Sequence, residues 1–159
     1  MEVTVGLGSN IDGPIGTPED TLQWALIHLE RFLAGGRVSS LHRTAPHHVT
    51  DQPWYCNQVF IGSTCNGPHR VLEELLRIEA AAGRDRSREI RFGPRTLDLD
   101  LLTYGRYVIA AADLQIPHPR MHERSFVMKP LLEIAPVGVD PRSGRSWQSL
   151  VSGMDPAAP

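Results

Sequence analysis

Asp98 and Asp100 stand two residues apart in the run Arg95-Thr96-Leu97-Asp98-Leu99-Asp100-Leu101-Leu102. The alternating leucines mark a strand. Successive side chains on a strand take opposite faces, so the two carboxylates share one face while Leu97, Leu99 and Leu101 share the other. Their backbone positions lie about 7 Å apart, close enough for their oxygens to converge on one Mg²⁺ or on a pair. Hard oxygen donors, with water and phosphate completing the shell, are what that ion takes. The stretch just upstream, Gly83 to Arg95, carries Arg84, Arg86, Arg88, Arg91 and Arg95 against only Asp85 and Glu89, with Gly93-Pro94 near its end. Guanidinium stays charged and offers phosphate oxygens a planar fork of donors. Either block alone is compatible with a solvated surface. Sorted side by side, they suit a metal-bound polyphosphate, whose transfer needs cations to hold the phosphates and to take up charge in the transition state.

Four separated stretches, in order, extend this beyond one site: Gly6-Leu7-Gly8-Ser9-Asn10, the run Phe92 to Leu102, Ile116-Pro117-His118-Pro119-Arg120, and Arg124 to Pro136. Together they resemble the 6-hydroxymethyl-7,8-dihydropterin pyrophosphokinases of folate biosynthesis, over about residues 3 to 150. The resemblance implies transfer of pyrophosphate from ATP to the pterin hydroxymethyl group with release of AMP, and two Mg²⁺ ions bound with the nucleotide. It implies Arg84 and Arg95 as catalytic loop arginines and Asp98 and Asp100 as metal ligands. For ATP it points to Glu79, Arg86, Arg95, Leu101, His118 and Arg124. For the pterin it points to Phe126 and Tyr55 as stacking faces and Asn57 on the ring edge. It also implies that backbone at Thr44 and His47 reads the rest of that edge and that Phe92 closes over the site. The chain departs from some relatives in having Phe92 for Trp, Leu76 for Gln and Pro119 for Tyr, and an arginine loop one residue longer than in a familiar relative.

Composition narrows the rivals. A chain of 159 residues fits one domain, taken as residues 1–159 with a frayed tail from about 154. A net charge of −2 argues against a nucleic-acid binder, which carries a basic excess. An RNA-reading module of the same fold would also place aromatics on a basic central strand, where this chain has aspartates. A small-ligand regulatory module and a different Mg²⁺-dependent phosphotransferase remain as alternatives. No apolar run approaches a membrane span. The start, Met1-Glu2-Val3-Thr4, lacks the basic and apolar regions of a signal peptide. Cys56 and Cys65 have no metal-type spacing. The expectation is a cytoplasmic monomer with reduced thiols that acts on two small molecules. His118 and His122 have a zinc-like helical spacing, but Pro119 argues against one helix across them.

The elements that must position these residues follow from periodicity. Residues 2–8 alternate and read as a strand. Thr17-Pro18-Glu19-Asp20 opens a helix, with Thr as the cap and Pro at its first position. Leu22, Ala25, Leu26, Leu29 and Leu33 form its buried face, and Gly35-Gly36 is expected to stop it. Strands are expected at 38–43 and 57–64, with a long loop over 44–55. A second helix starts at Pro68 and is capped by Gly83. The Asp strand is expected to turn at Tyr104-Gly105-Arg106 into a hairpin with Tyr107-Val108-Ile109. Residues 121–134 read as helical, interrupted or restarted at Pro130. Ser146 caps a short last helix. The order strand, helix, strand, strand, helix, strand predicts a ferredoxin-like α+β sandwich.

Overall fold

The computed structural model describes residues 1–46, 51–86 and 93–154. The expectations for His47, Arg88, Arg91, Phe92 and the last residues of the tail lie outside these.

An antiparallel sheet forms the centre. Its main strands are β1 (Glu2–Ser9), β2 (Ala34–Val38), β4 (Tyr55–Ser63) and β5 (Asp98–Tyr104), in the order β2-β4-β1-β5, and the short β3 (His42–Thr44) also pairs with β4. Helices α1 (Pro18–Phe32) and α2 (Pro68–Ala81) connect them in the ferredoxin-like pattern. The α+β sandwich is therefore as the strand and helix order predicts.

The sheet separates two apolar clusters. Val3, Val5, Leu7, Leu97, Leu99 and Leu101 meet Leu22, Leu26 and Leu29 of α1 and Val71, Leu75 and Ile78 of α2. On the other face, Val59, Ile61 and Leu102 meet Val127, Met128 and Leu131 of α3 (Ser125–Ile134) and Trp147 of α4 (Trp147–Ser152). Alternation puts Leu101 in the first cluster and Leu102 in the second, and a register shift between Thr4 and Val5 returns Tyr104, three residues on, to the cluster of Leu101. Towards the start of β5 the second face carries Asp98 and Asp100, both half-buried.

Four local expectations are corrected. The strand expected over 38–43 is broken at 39–41, where the Ser39 hydroxyl accepts the Val59 N–H; Val38 ends β2 and His42 begins β3. Gly35 and Gly36 do not end α1. The helix closes at Leu33, whose N–H bonds to the Leu29 carbonyl, and both glycines belong to β2. A Cβ on Gly36 would lie 2.6 Å from the Phe60 ring, so that glycine serves strand packing. Tyr107 to Ile109 does not return along β5; β6 (Ile109–Ala110) pairs instead with β7 (Gln115–Ile116). The break within 121–134 falls at Arg124, between a 3₁₀ turn (Met121–Glu123) and α3, and Pro130 lies inside α3. Ser146 does cap α4, accepting the Ser149 N–H at 3.1 Å.

Candidate active site

Strand pairing builds the floor. In the β1–β5 register Gly8 lies opposite Asp98 and Gly6 opposite Asp100, so each carboxylate has a bare backbone as its cross-strand neighbour. A Cβ on Gly8 would come 3.2 Å from Asn57 Oδ1. Leu99, between the aspartates, packs into the opposite cluster.

The end of α2 delivers the first arginine. Gly83, at φ +88°, takes the left-handed conformation that a side chain resists. Its N–H bonds to the Ala80 carbonyl, and the Arg84 N–H bonds to the Glu79 carbonyl, the pair of bonds of a Schellman end. The chain leaves the helix with Arg84 aimed at β5. The Arg84 side chain is 5% exposed and spans Glu79 Oε1, at 2.6 Å, and Asp98 Oδ1. Arg95 Nη1 meets Asp98 Oδ2 at 2.9 Å. Arg124, just before α3, donates to Asp100 Oδ2 at 2.6 Å, and His118 Nε2 lies 3.9 Å from Asp100 Oδ1. Burial opposes the charge on Asp98, but Arg95 and Arg84 outweigh it and hold the carboxyl below its usual range. Burial pushes His118 down, against the pull of Asp100.

Glu79 is 1% exposed and fully engaged. Its Oε1 accepts the Leu99 N–H at 2.7 Å as well as Arg84, and its Oε2 accepts Arg86 at 2.6 Å. Burial pushes its pKa up, against the pull of Arg86, the Leu99 N–H and Arg84. Glu79 thus ties the end of α2 to β5 and to two arginines. The Leu101 side chain packs in the core beneath, away from the carboxylates.

Beside the acidic strand opens a cavity of about 290 Å³, lined by Gly8, Thr44, Ala45, Pro46, Gln52, Tyr55, Asn57, Arg95, Asp98, Arg120, Glu123, Arg124 and Phe126. It therefore brings together Thr44, Tyr55, Asn57 and Phe126 with Arg95, Asp98 and Arg124. Asn57 Nδ2 donates to Thr44 Oγ1 at 2.8 Å. The Arg124 guanidinium sits 5.7 Å from the Phe126 ring centre. Burial raises the Tyr55 pKa. Apolar walls with a few convergent polar groups suit a flat heteroaromatic ligand. Gly8, Gln52, Arg120 and Glu123 line the cavity although sequence reasoning assigns none of them a role in the site. The strand alternation that pairs Gly8 with Asp98 was the signal available for Gly8.

Among the described residues, no group of three or more His, Cys, Asp or Glu side chains converges as a closed metal cage. Two carboxylates on one strand face, to which a phosphate chain could add further oxygen ligands, are a donor set that fits Mg²⁺. No helix among the described residues is long and apolar enough to cross a membrane.

Residues 4–136 match the family model described as 7,8-dihydro-6-hydroxymethylpterin-pyrophosphokinase. The chain is 40% identical over 156 residues to the 2-amino-4-hydroxy-6-hydroxymethyldihydropteridine pyrophosphokinase of Methylorubrum extorquens, covering 96% of this chain and 93% of that one. It is 44% identical over 154 residues to the protein of the same name from Synechocystis, covering 95% of this chain and 75% of that one. It is also 44% identical over 153 residues to the mitochondrial folate synthesis bifunctional protein of Arabidopsis thaliana, covering 94% of this chain. The chain spans only 26% of that relative's length, and 28% of its counterpart in Pisum sativum.

Proposed function

The chain belongs to the 7,8-dihydro-6-hydroxymethylpterin-pyrophosphokinase family, and we propose that it transfers the terminal pyrophosphoryl group of ATP to the hydroxymethyl group of 6-hydroxymethyl-7,8-dihydropterin, releasing AMP. The observation that carries this reading is one juxtaposition. Asp98 and Asp100 share a strand face, Arg84, Arg95 and Arg124 contact them, and the cavity bearing Tyr55, Asn57 and Phe126 opens at Asp98.

In this reading the pterin ring enters the cavity between Tyr55 and Phe126, and Asn57, oriented by Thr44, meets its polar edge. The hydroxymethyl group then faces Asp98 and Arg95. The oxygen attacks the β-phosphorus, the bond to the α-phosphate oxygen breaks, and the hydroxyl proton leaves to solvent. Such transfer asks little covalent chemistry of a protein and much positioning and charge compensation. Asp98 and Asp100 would hold Mg²⁺, which when bound with the nucleotide draws charge from the phosphate oxygens. Arg84 and Arg95 take up the negative charge that develops on the transferring group, and Arg124 and His118 serve the nucleotide phosphates. Glu79 serves through Arg84 and Arg86, which it holds, since its own oxygens are occupied.

The test is nucleotide release from ATP and Mg²⁺ with and without the pterin. AMP that appears only with the pterin, together with a diphosphorylated pterin, is the expected result. ADP as the product, or AMP formed equally without pterin, would sink the assignment.

A further inference from the structure

Taking the transferase reading as given, we propose that Asn10 is a positioning residue for the transfer, the joint through which the pterin wall of the cavity sets the place of Arg95. Asn10 follows the last residue of β1 and is 1% exposed. One side of it grips the segment of Arg95. Its backbone N–H donates to the Arg95 carbonyl at 3.2 Å, and its Oδ1 accepts the Arg95 N–H at 2.9 Å. The neighbouring Ser9 hydroxyl donates to the Thr96 carbonyl at 2.6 Å. The other side grips the cavity wall: Nδ2 donates to Gln52 Oε1 and to the Pro53 carbonyl, each at 3.1 Å.

This pattern fixes the amide orientation. The Arg95 N–H needs an acceptor and the Pro53 carbonyl a donor, so a flipped amide would lose bonds on both sides. The network also reaches the two groups that would face substrate. The Tyr55 hydroxyl lies 3.2 Å from both Gln52 Oε1 and the Gly93 carbonyl, and that carbonyl also lies 3.4 Å from Nε and Nη2 of Arg95. A buried polar network with its members satisfied is rigid. A ring seated against Tyr55 and Gln52 therefore bears on the same joint that holds the Arg95 main chain. Misplacing a reacting partner by about 1 Å is enough to cost about a hundredfold in rate.

Asn10→Asp cuts the joint on one side only. The carboxylate still accepts the Arg95 N–H, but it has no donor for Gln52 or Pro53 and sets an anion against two acceptors. Turnover should be measured by AMP release at saturating ATP, Mg²⁺ and pterin, and affinity for a non-hydrolysable ATP analogue by calorimetry. Folding should be followed by melting temperature and amide exchange. We expect a folded Asn10→Asp protein with Arg95 amide protection retained and analogue affinity within about threefold of wild type, but with kcat down about a hundredfold. A folded variant with wild-type kcat and raised KM, or with both unchanged, would overturn the proposal. If Asn10→Asp does not fold, Gln52→Ala reaches the joint from the other side. It should lower kcat at saturating pterin, and an unchanged kcat there overturns the proposal equally. Should the wild-type protein release no AMP at all, it is the transferase reading that fails. The joint is then judged on exchange alone: Asn10→Asp must speed amide exchange across residues 51–55, and no change there refutes it.

Discussion

Asp98 and Asp100 are neutralised in this structure by guanidinium groups, Asp98 by Arg84 and Arg95 and Asp100 by Arg124. The cations proposed to meet phosphate thus rest on the carboxylates proposed to hold a metal. Changing Asp98 or Asp100 to Asn keeps the shape and removes the charge. A hard cation gives up water for an anionic oxygen far more readily than for an amide. Each variant is expected to need more Mg²⁺ and, even at saturating metal, to lose about a hundredfold in AMP release, the scale of removing one group that stabilises transition-state charge. Leu99→Ala is the contrast. Its side chain packs on the far face, and the bond from its N–H to Glu79 is main-chain and survives the change. It should cost about 2–5 kcal/mol of stability and leave the Mg²⁺ dependence alone. Melting curves and Mg²⁺ titrations on the three proteins check both halves; aspartate variants with wild-type Mg²⁺ dependence would move the metal elsewhere.

At the scale of elements, the turn at the end of α2 sets the geometry of the site. Gly83 needs positive φ, and a Cβ there would sit 2.7 Å from the Pro14 ring. Gly83→Ala should therefore cost about 1–2 kcal/mol from the left-handed conformation alone, with the Pro14 clash in addition. It should also lower turnover, because the next residue is Arg84. Thermal melting and AMP release together test this; loss of stability with full turnover would mean that Arg84 is placed by its ion pairs and not by the turn. What the sequence could and could not show divides along the same line. The Thr17 cap of α1 is local and was legible, and Asp20 completes it by bonding back to the Thr17 N–H; the alternation in β5 and the glycine end of α2 were legible too. The two glycines after α1 read as a helix stop, because the packing partner of Gly36, Phe60, is remote in sequence. The partner of β6 was misread for the same reason: hairpin signals say where a chain turns, not which strand it then meets. Asn10 stood out only as the last residue of the run Gly6-Leu7-Gly8-Ser9-Asn10, since its bonds reach across 42, 43 and 85 residues of chain and nothing local announces them.

Over the whole molecule, carboxylates fasten the layers to one another. Glu19 of α1 accepts from Arg43 of β3 and from the Cys56 thiol of β4. Glu133 of α3 accepts the Ser40 N–H at 2.9 Å and meets His42 Nε2 at 2.5 Å. Asp140 closes the turn before α4 with the N–H groups of Arg142 and Ser143 and the Ser143 hydroxyl. Main-chain hydrogen bonding and the Cys56 thiol hold Glu19 below its ordinary range. For Glu133 and Asp140 burial works against the charge, but the bonds from Ser40 and His42, and from Ser143 and Arg142, outweigh it, so both are lowered. A carboxyl with a lower pKa folded than unfolded contributes stability that is present above the unfolded value. That stability drains away as pH falls through the folded one, because the unfolded chain takes up protons first. Glu79 runs the other way. Burial raises its pKa, so its contribution is greatest at low pH and fades as it ionises. The lowered carboxyls outnumber it and join elements on both faces of the sheet, so the net dependence is expected to follow them. The urea midpoint is expected to hold as pH falls towards about 4.5, the ordinary glutamate value, and to drop steeply below it. Unfolding curves at half-unit steps between pH 3 and pH 6, followed by helix and by tryptophan signals together, make the measurement. A midpoint that stays level to pH 3 or rises on acidification would show that these carboxylates do not fasten the fold.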